Sequence, residues 1–519
     1  MSIPVGLVIV GGVAAGPKAS APGSPLPSSP TTICTPLLGF FGFLSSLATL
    51  LTLPGLLSAK ETSEQRPNVI LCMTDDQGWG DTGYNGHPFL KTPNLDQMAR
   101  SGIRFNRFCS AAPVCSPTRG SALTGRHPYR YGITFANVGH MPRQEITLAE
   151  ALKTRGYTTG HFGKWHLGTL TTKIKDSNRG RPGDATHYSP PWENGFDVCF
   201  STEAKVPTWD PMKKPGSNEP YGTHYFKSDG SVETENLDGD DSRVIMDRVV
   251  PFIRGAVEQD KPFLAVVWFH TPHLPCVAGP KYRKMYEGVE GANPAYHGCI
   301  TAMDEQVGRL RGELRRLGVE QDTMLWFCSD NGPEGGKDTP TNGTAGPLRG
   351  RKRSLFEGGI RVPGLLEWPA RIKKPRTVKM PCGTEDYFPT VLEVLGIESE
   401  ASVKPVDGIS LLPVIEGRMT ERPRPLGRES SGQVALIDNR YKLIRTRGRR
   451  GGRRPKGGRP AKGAPVKPTD NWMLFDLLAD PGEKSDLAAD HPERVRQMAA
   501  TVEQWRASCK ASRDGADYK

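Results

Sequence analysis

The apolar residues of this chain fall into short continuous runs separated by helical patterns. Residues 67–73 (PNVILCM) form one such run, rich in β-branched side chains, that stops at the polar Thr74-Asp75-Asp76. This pattern predicts a strand buried on both faces. Residues 263–269 (FLAVVWF) and 323–328 (TMLWFC) repeat it, the second ending at Ser329-Asp330-Asn331-Gly332. Further strands are expected over 103–108 and 157–164. Helical patterns lie between them. Thr92-Pro93-Asn94-Leu95 opens one that sets Leu95, Met98 and Ala99 on a common face. Others follow Pro117, cover 148–155, and run over 303–317 to a stop at Gly318. Buried strands alternating with helices predict an α/β fold, a large mostly parallel or mixed sheet sandwiched by helices.

The texture changes near residue 421. Short strands over 433–436, 441–445 and 472–476, then a helix over 492–508, predict a smaller C-terminal α+β subdomain. At the other end, an apolar stretch over 36–57 leads to Leu57-Ser58-Ala59, a small-residue cleavage site. The expected organisation is a signal peptide or leader over 1–59, a catalytic domain over 60–420 and a subdomain over 421–519. A cleaved leader implies an exported protein, periplasmic or secreted, with no stable membrane span once it is removed; left uncleaved, the leader would serve as an anchor.

Charge adds one feature. The formal net charge is +12, but ten Lys or Arg and no acidic residue fall within 445–467. The rest of the chain is therefore nearly balanced, and the basicity belongs to one segment. A run of Arg, Gly, Lys and Pro cannot build a core, so 445–469 is expected to be a disordered surface insert. It lacks interleaved aromatics for base stacking, which argues against a nucleic-acid partner; an acidic polysaccharide is the alternative polyanion it would hold. None of the ten cysteines stand as C-x-x-C, so a structural zinc ribbon is not expected. In an exported chain some of them can pair as disulfides.

Candidate chemistry sits at the strand ends, where open α/β sheets bind ligands. Two carboxylates about 4 Å apart repel by roughly 4 kcal/mol at an effective dielectric of 20. A site that gathers Asp75 and Asp76 with Asp330 and Asn331 would therefore need a cation. These hard oxygen donors favour Ca²⁺ or Mg²⁺ over zinc. Taken singly, Asp-Asp also suits a turn or helix cap, and Asp330-Asn331-Gly332 an ordinary turn. Cys115 precedes Ser116-Pro117, read as a cap and first helical residue, which places the thiol at an anion-binding helix N-terminus. There it is either a low-pKa thiolate or a small buried residue. Arg119, four positions on, shares its face. Lys164 and His166 are two apart at a strand end and so face one way.

The run Cys115-Ser116-Pro117-Thr118-Arg119, followed by Gly120-Ser121-Ala122-Leu123-Thr124-Gly125, resembles the signature of type I sulfatases, departing at Ala122, where a bulkier apolar residue is usual. Gly156-Tyr157-Thr158-Thr159 leading to Gly163-Lys164-Trp165-His166 is similar to the family's second motif. The likeness continues through Thr271-Pro272-His273, Ser329-Asp330-Asn331-Gly332, Arg349-Gly350-Arg351-Lys352 and Asp407-Gly408-Ile409-Ser410. It implies an alkaline phosphatase-like fold and hydrolysis of aryl sulfates or sulfated carbohydrates. It implies that a formylglycine-generating or radical maturation enzyme oxidises Cys115 to formylglycine, whose hydrate attacks sulfur. Asp75, Asp76, Cys115, Asp330 and Asn331 would hold Ca²⁺, with Mg²⁺ the lesser candidate. Arg119 and Lys164 would orient the formylglycine and neutralise charge. Lys164, His273 and Lys352 would bind the sulfate ester, with His273 giving a proton to the leaving oxygen. His166 would deprotonate the second hydroxyl. His270 lies near enough in sequence to reach the same pocket. The rival readings are a phosphonate monoester or phosphodiester hydrolase of the same superfamily, and an unmatured, inactive polyanion binder.

Overall fold

The computed structural model describes residues 66–335, 341–398, 404–446 and 471–519. The leader reading of 1–59 and nearly all of the insert 445–469 lie outside the described residues. In chain order the first half contains β1 (Asn68–Thr74), α1 (Pro93–Ser101), β2 (Ile103–Phe105), β3 (Phe108–Cys109), α2 (Cys115–Thr124), α3 (Leu148–Lys153), β4 (Thr158–Lys164), β5 (Val198–Thr202), β6 (Phe226–Lys227) and α4 (Asp241–Glu258). Next come β7 (Phe263–Trp268), α5 (Pro280–Lys284), α6 (Pro294–Arg316), β8 (Thr323–Ser329), α7 (Glu357–Ile360), β9 (Arg361–Val362), β10 (Gly364–Glu367), β11 (Arg376–Val378), β12 (Cys382–Gly383), α8 (Tyr387–Val394) and α9 (Leu412–Ile415). The chain closes with β13 (Leu426–Ser430), β14 (Gln433–Ile437), β15 (Tyr441–Arg445), β16 (Trp472–Asp476) and α10 (Pro492–Arg513).

The main sheet has nine strands in the order β11-β2-β10-β8-β1-β7-β4-β5-β6. Its centre, from β8 to β5, is parallel, and antiparallel pairings enter only through β10 and β6. The alternation of β1 divides the core. Val69, Leu71 and Met73 join the layer containing α2, α3 and α8, while Ile70 and Cys72 join the layer of α1, α4 and α6. Both faces are thus covered by helices, which is why the central strands read as unbroken apolar runs. A separate antiparallel sheet, β13-β14-β15-β16, follows at the C-terminal end.

Three local expectations change. The strand expected over 103–108 is split: β2 joins the main sheet, and β3 lies between β12 and β9 in a three-stranded sheet. The helix expected from residue 303 begins at Pro294, capped by the Asn293 side chain, which accepts from the Ala295 and Tyr296 amides. Its first turns are buried nearly all round, so they carry no amphipathic signature. The helix at the cysteine motif starts at Cys115 itself, with Val114 as cap and Pro117 two residues further in. Pro117 is tolerated there because first-turn N–H groups have no intrahelical acceptor. The nine cysteines among the described residues are free thiols. No helix among the described residues is long and apolar enough to cross a membrane.

Candidate active site

The parallel pairing of β1 with β8 sets Thr74 opposite Ser329, so the residues that follow emerge side by side. The Asp76 amide donates to Asp330 Oδ1 at 3.1 Å, and Asn331 Nδ2 donates to Asp76 Oδ1 at 2.7 Å. Asp75, Asp76, Asp330 and Asn331 are almost fully buried. The four residues expected to converge therefore do.

Cys115 enters over them at the start of α2, a helix whose ten residues are all buried. One ligand atom each from Asp75, Cys115 and Asp330 lie within 4.8 Å of one another, as do those of Asp75, Asp76 and His273. Arg119, one turn into α2, donates to Asp330 Oδ2 at 2.7 Å and to the Lys164 carbonyl at 3.0 Å. Its guanidinium also lies over the Trp268 ring, 5.2 Å from the centroid. Lys164 ends β4 and places Nζ 2.5 Å from Asp75 Oδ2. Lys352 holds Asp76 at 2.6 Å. Neighbouring basic residues point elsewhere: Arg349 donates to the Glu483 carbonyl, and Arg351 to the carbonyls of Glu334 and Gly343.

His166 reaches the site by a route the strand rule did not foresee. The chain turns through positive φ at Gly163 and His166, 99° and 55°, so Lys164 and His166 both reach the site through a left-handed turn and not through strand alternation. His166 Nε2 lies 2.9 Å from Asn137 Oδ1. Because that oxygen only accepts, Nε2 carries the hydrogen and Nδ1 is left as a lone pair. Nδ1 is buried without a partner. His273 Nε2 stands 3.6 Å from Asp76 Oδ2, and its Nδ1 donates to the Leu274 carbonyl at 2.6 Å. His270 does not line the cavity; its ring is held between Asp241 at 2.8 Å and Thr202 at 2.8 Å.

Burial and charge compete at every titratable group. Burial raises Asp75, but Lys164, His273, Arg119 and Lys352 outweigh it and hold the carboxyl well below its usual range. Burial and the charge of Asp75 push Asp330 up to about 7. Burial also raises the Cys115 thiol, against the pull of Lys164 and Lys352. That direction favours the small buried residue over the low-pKa thiolate. Burial lowers His166 well below its ordinary value, helped by Lys164 and Arg119. It lowers His273 to about 4, against Asp75 and Asp76.

Above this floor opens a cavity of about 320 Å³, lined by Cys115, Lys164, His166, His273 and Lys352. Asn137, Asn178, Lys205, Glu334 and Arg353 also line it. Arg353 had a sequence signal in its adjacency to Lys352. The others sit on loops without hydrophobic periodicity.

The Sulfatase family model matches residues 67–397, so the chain belongs to the sulfatase family. It is a sulfuric ester hydrolase, a class its relatives share. Arylsulfatase G of Rattus norvegicus is 32% identical over 484 residues, covering 83% of this chain and 85% of the relative. N-acetylgalactosamine-6-sulfatase of Mus musculus is 31% identical over 396 residues, covering 73% and 71%. The crystal structure of Ps i-CgsB in complex with k-i-k-neocarrahexaose superposes with a TM-score of 0.70 at 25% identity, covering 86% of this chain and 93% of that one.

Proposed function

We propose that the protein is an exported sulfatase that cleaves sulfate monoesters, aryl sulfates or sulfated carbohydrates, through a formylglycine formed from Cys115 beside a bound Ca²⁺. The convergence of three carboxylates, one amide and three fixed cations beneath residue 115 carries this reading. The residues fit the ion. Asp75 Oδ1 and Asn331 Oδ1 are buried without a hydrogen-bond partner. A buried carboxylate oxygen left unmatched is costly, and hard oxygens suit Ca²⁺. Asp75, Asp76, Asp330, Asn331 and the oxidised residue 115 would hold it. When present, the cation polarises the sulfate oxygens and the hydrated aldehyde supplies the attacking oxygen.

The chain's own groups do the rest. Arg119 and Lys164, anchored on Asp330 and Asp75, hold positive charge against the sulfate. His166, neutral and with Nδ1 free, takes the proton from the second hydroxyl at residue 115. Burial pulls Lys352 down, but Asp76 outweighs it and keeps the ammonium charged toward the leaving oxygen. The negative charge of a bound ester raises His273, so that Nε2 can deliver a proton to that oxygen. Because α2 is buried along its whole length, the maturation enzyme must reach Cys115 before this fold closes. The N-acetylgalactosamine-6-sulfatase relatives and the k-i-k-neocarrahexaose complex of Ps i-CgsB support a sulfated carbohydrate as substrate.

The test is turnover of an aryl sulfate beside aryl phosphate and phosphonate, with mass analysis of the peptide spanning residue 115. Mature enzyme is expected to favour the sulfate and to show a peptide about 18 Da lighter than the cysteine form. Preference for the phosphonate, or full activity in Cys115→Ala, would overturn the reading.

A further inference from the structure

Lys205 is a half-buried cation on the wall of the catalytic cavity. Its backbone is fixed by the neighbouring turn. The Trp165 and His166 amides donate to the Thr202 and Glu203 carbonyls, each at 2.9 Å. Glu203 in turn accepts from Arg179 Nε at 3.0 Å. The segment carrying Lys205 is thus pinned beside His166.

The other charged groups of the wall are matched. Lys164 pairs with Asp75 at 2.5 Å, Lys352 with Asp76 at 2.6 Å, and Arg353 with Glu334 at 2.6 Å. Lys205 has no ion pair or side-chain hydrogen bond among the described residues. Burial disfavours its charge, and Lys164 and Lys352 repel it, so its pKa is pushed down from the ordinary lysine value. An ammonium held in this way gains most when an anion enters the cavity. The scissile sulfate is already claimed by the groups at residue 115 and by Lys164, His273 and Lys352.

Resting on the sulfatase reading, we infer that Lys205 binds a second oxyanion of the same substrate molecule, a carboxylate or another sulfate. The favoured substrate is then a sulfated sugar bearing at least two anionic groups. The cavity's size agrees: about 320 Å³ lies at the small end of ligand pockets, suited to about one sugar unit. The second anion must therefore sit on the reacting sugar or its immediate neighbour. Asn137 and Asn178 line the same cavity and offer uncharged polar groups for hydroxyls.

The experiment compares kcat/KM for a monosulfated neutral sugar, the same sugar with a second sulfate, and a monosulfated sugar bearing a carboxylate. Wild type, Lys205→Ala, Lys205→Arg and Lys205→Glu are measured against all three. Wild type is expected to prefer a doubly anionic substrate. Lys205→Ala should lose about tenfold of that preference, mainly through KM. Lys205→Arg should keep most of it, and Lys205→Glu should reverse it. The disulfated and carboxylated arms tell which oxyanion is read. Absence of the preference in wild type, an unchanged ratio in Lys205→Ala, or an equal fall on all three substrates would overturn the inference while leaving the sulfatase reading intact. Failure of wild type to release sulfate from any substrate would overturn the reading beneath it.

Discussion

Arg130 and Asp407 form a bidentate pair, Nε to Oδ2 at 2.7 Å and Nη2 to Oδ1 at 2.8 Å. The same carboxylate accepts the Trp505 indole N–H of α10 at 2.9 Å, while Arg130 also reaches Ser508 and Ser512. The pair thereby fastens the last helix to the segment that follows α2. Burial raises Asp407, but Arg130 and the His127 amide outweigh it and hold its pKa at about 2. A depressed carboxyl stabilises the fold at pH above its unfolded value, near 3.8, and that contribution is lost as pH falls through about 2. The shift is worth about 2 kcal/mol. Asp407→Asn is expected to lower stability by about that amount near neutral pH. The gap between variant and wild type should close as the pH drops through this window, and denaturant melts at several pH values check it. A gap that does not depend on pH would assign the loss to packing alone.

Cation binding should appear as stability. An ion that binds only the folded chain adds about 2.7 kcal/mol at a hundredfold excess over its dissociation constant. Ca²⁺ added to chelator-treated protein is expected to raise the melting temperature, with a smaller rise for Mg²⁺. Asn331→Ala should weaken the response, because it removes an acceptor that is buried and unmatched. Equal responses in the two proteins would take Asn331 out of the ligand set.

His166 and Asn137 offer a kinetic test. If His166 Nδ1 takes the proton that restores residue 115, its loss stops the enzyme after the ester has opened. His166→Ala should release about one equivalent of phenol from an aryl sulfate and then stall, with kcat down about 10²- to 10⁴-fold. Asn137→Ala leaves the imidazole but removes the acceptor at 2.9 Å that fixes its tautomer. A smaller fall in kcat, with an altered pH profile, is expected there. A steady rate without a burst in His166→Ala would remove it from this step.

The parts legible in the sequence were those that geometry forces into pattern. Strands β1, β7 and β8 announce themselves because burial on both faces leaves only apolar residues between their ends. Asp75, Asp76, Asp330 and Asn331 could be read because they directly follow β1 and β8. Helix α4 escaped because Pro251 interrupts it and reads as a break. Strand β13 escaped because its Arg428 is a buried charge, paired with Glu385 at 2.7 Å across 43 residues. Lys205 and Asn137 escaped for a different reason. Their positions are set by long-range hydrogen bonds between loops, which leave no local pattern in the sequence.

The C-terminal sheet bears on the catalytic wall through Lys442 of β15. Its Nζ lies 3.0 Å from Glu357 and 3.0 Å from Glu483, and all three side chains are nearly inaccessible. Glu357 opens α7, the turn after the loop that carries Lys352 and Arg353. The Glu483 side chain also accepts the Glu357 amide at 2.6 Å. Burial and the charge of Glu357 push Glu483 up to about 7, against Lys442. Removing Lys442 strands Glu483 and leaves Glu357 with Arg361, 3.7 Å away, and breaking such a cluster costs about 3–5 kcal/mol. Lys442→Met is therefore expected to destabilise the protein by that amount and, by loosening α7, to raise KM through Lys352. Adding Glu483→Gln, which removes the stranded charge, should recover part of both losses. Thermal melts and sulfate-ester kinetics on the two variants check this. A double variant no better than the single one would show that Lys442 acts through packing and not through charge.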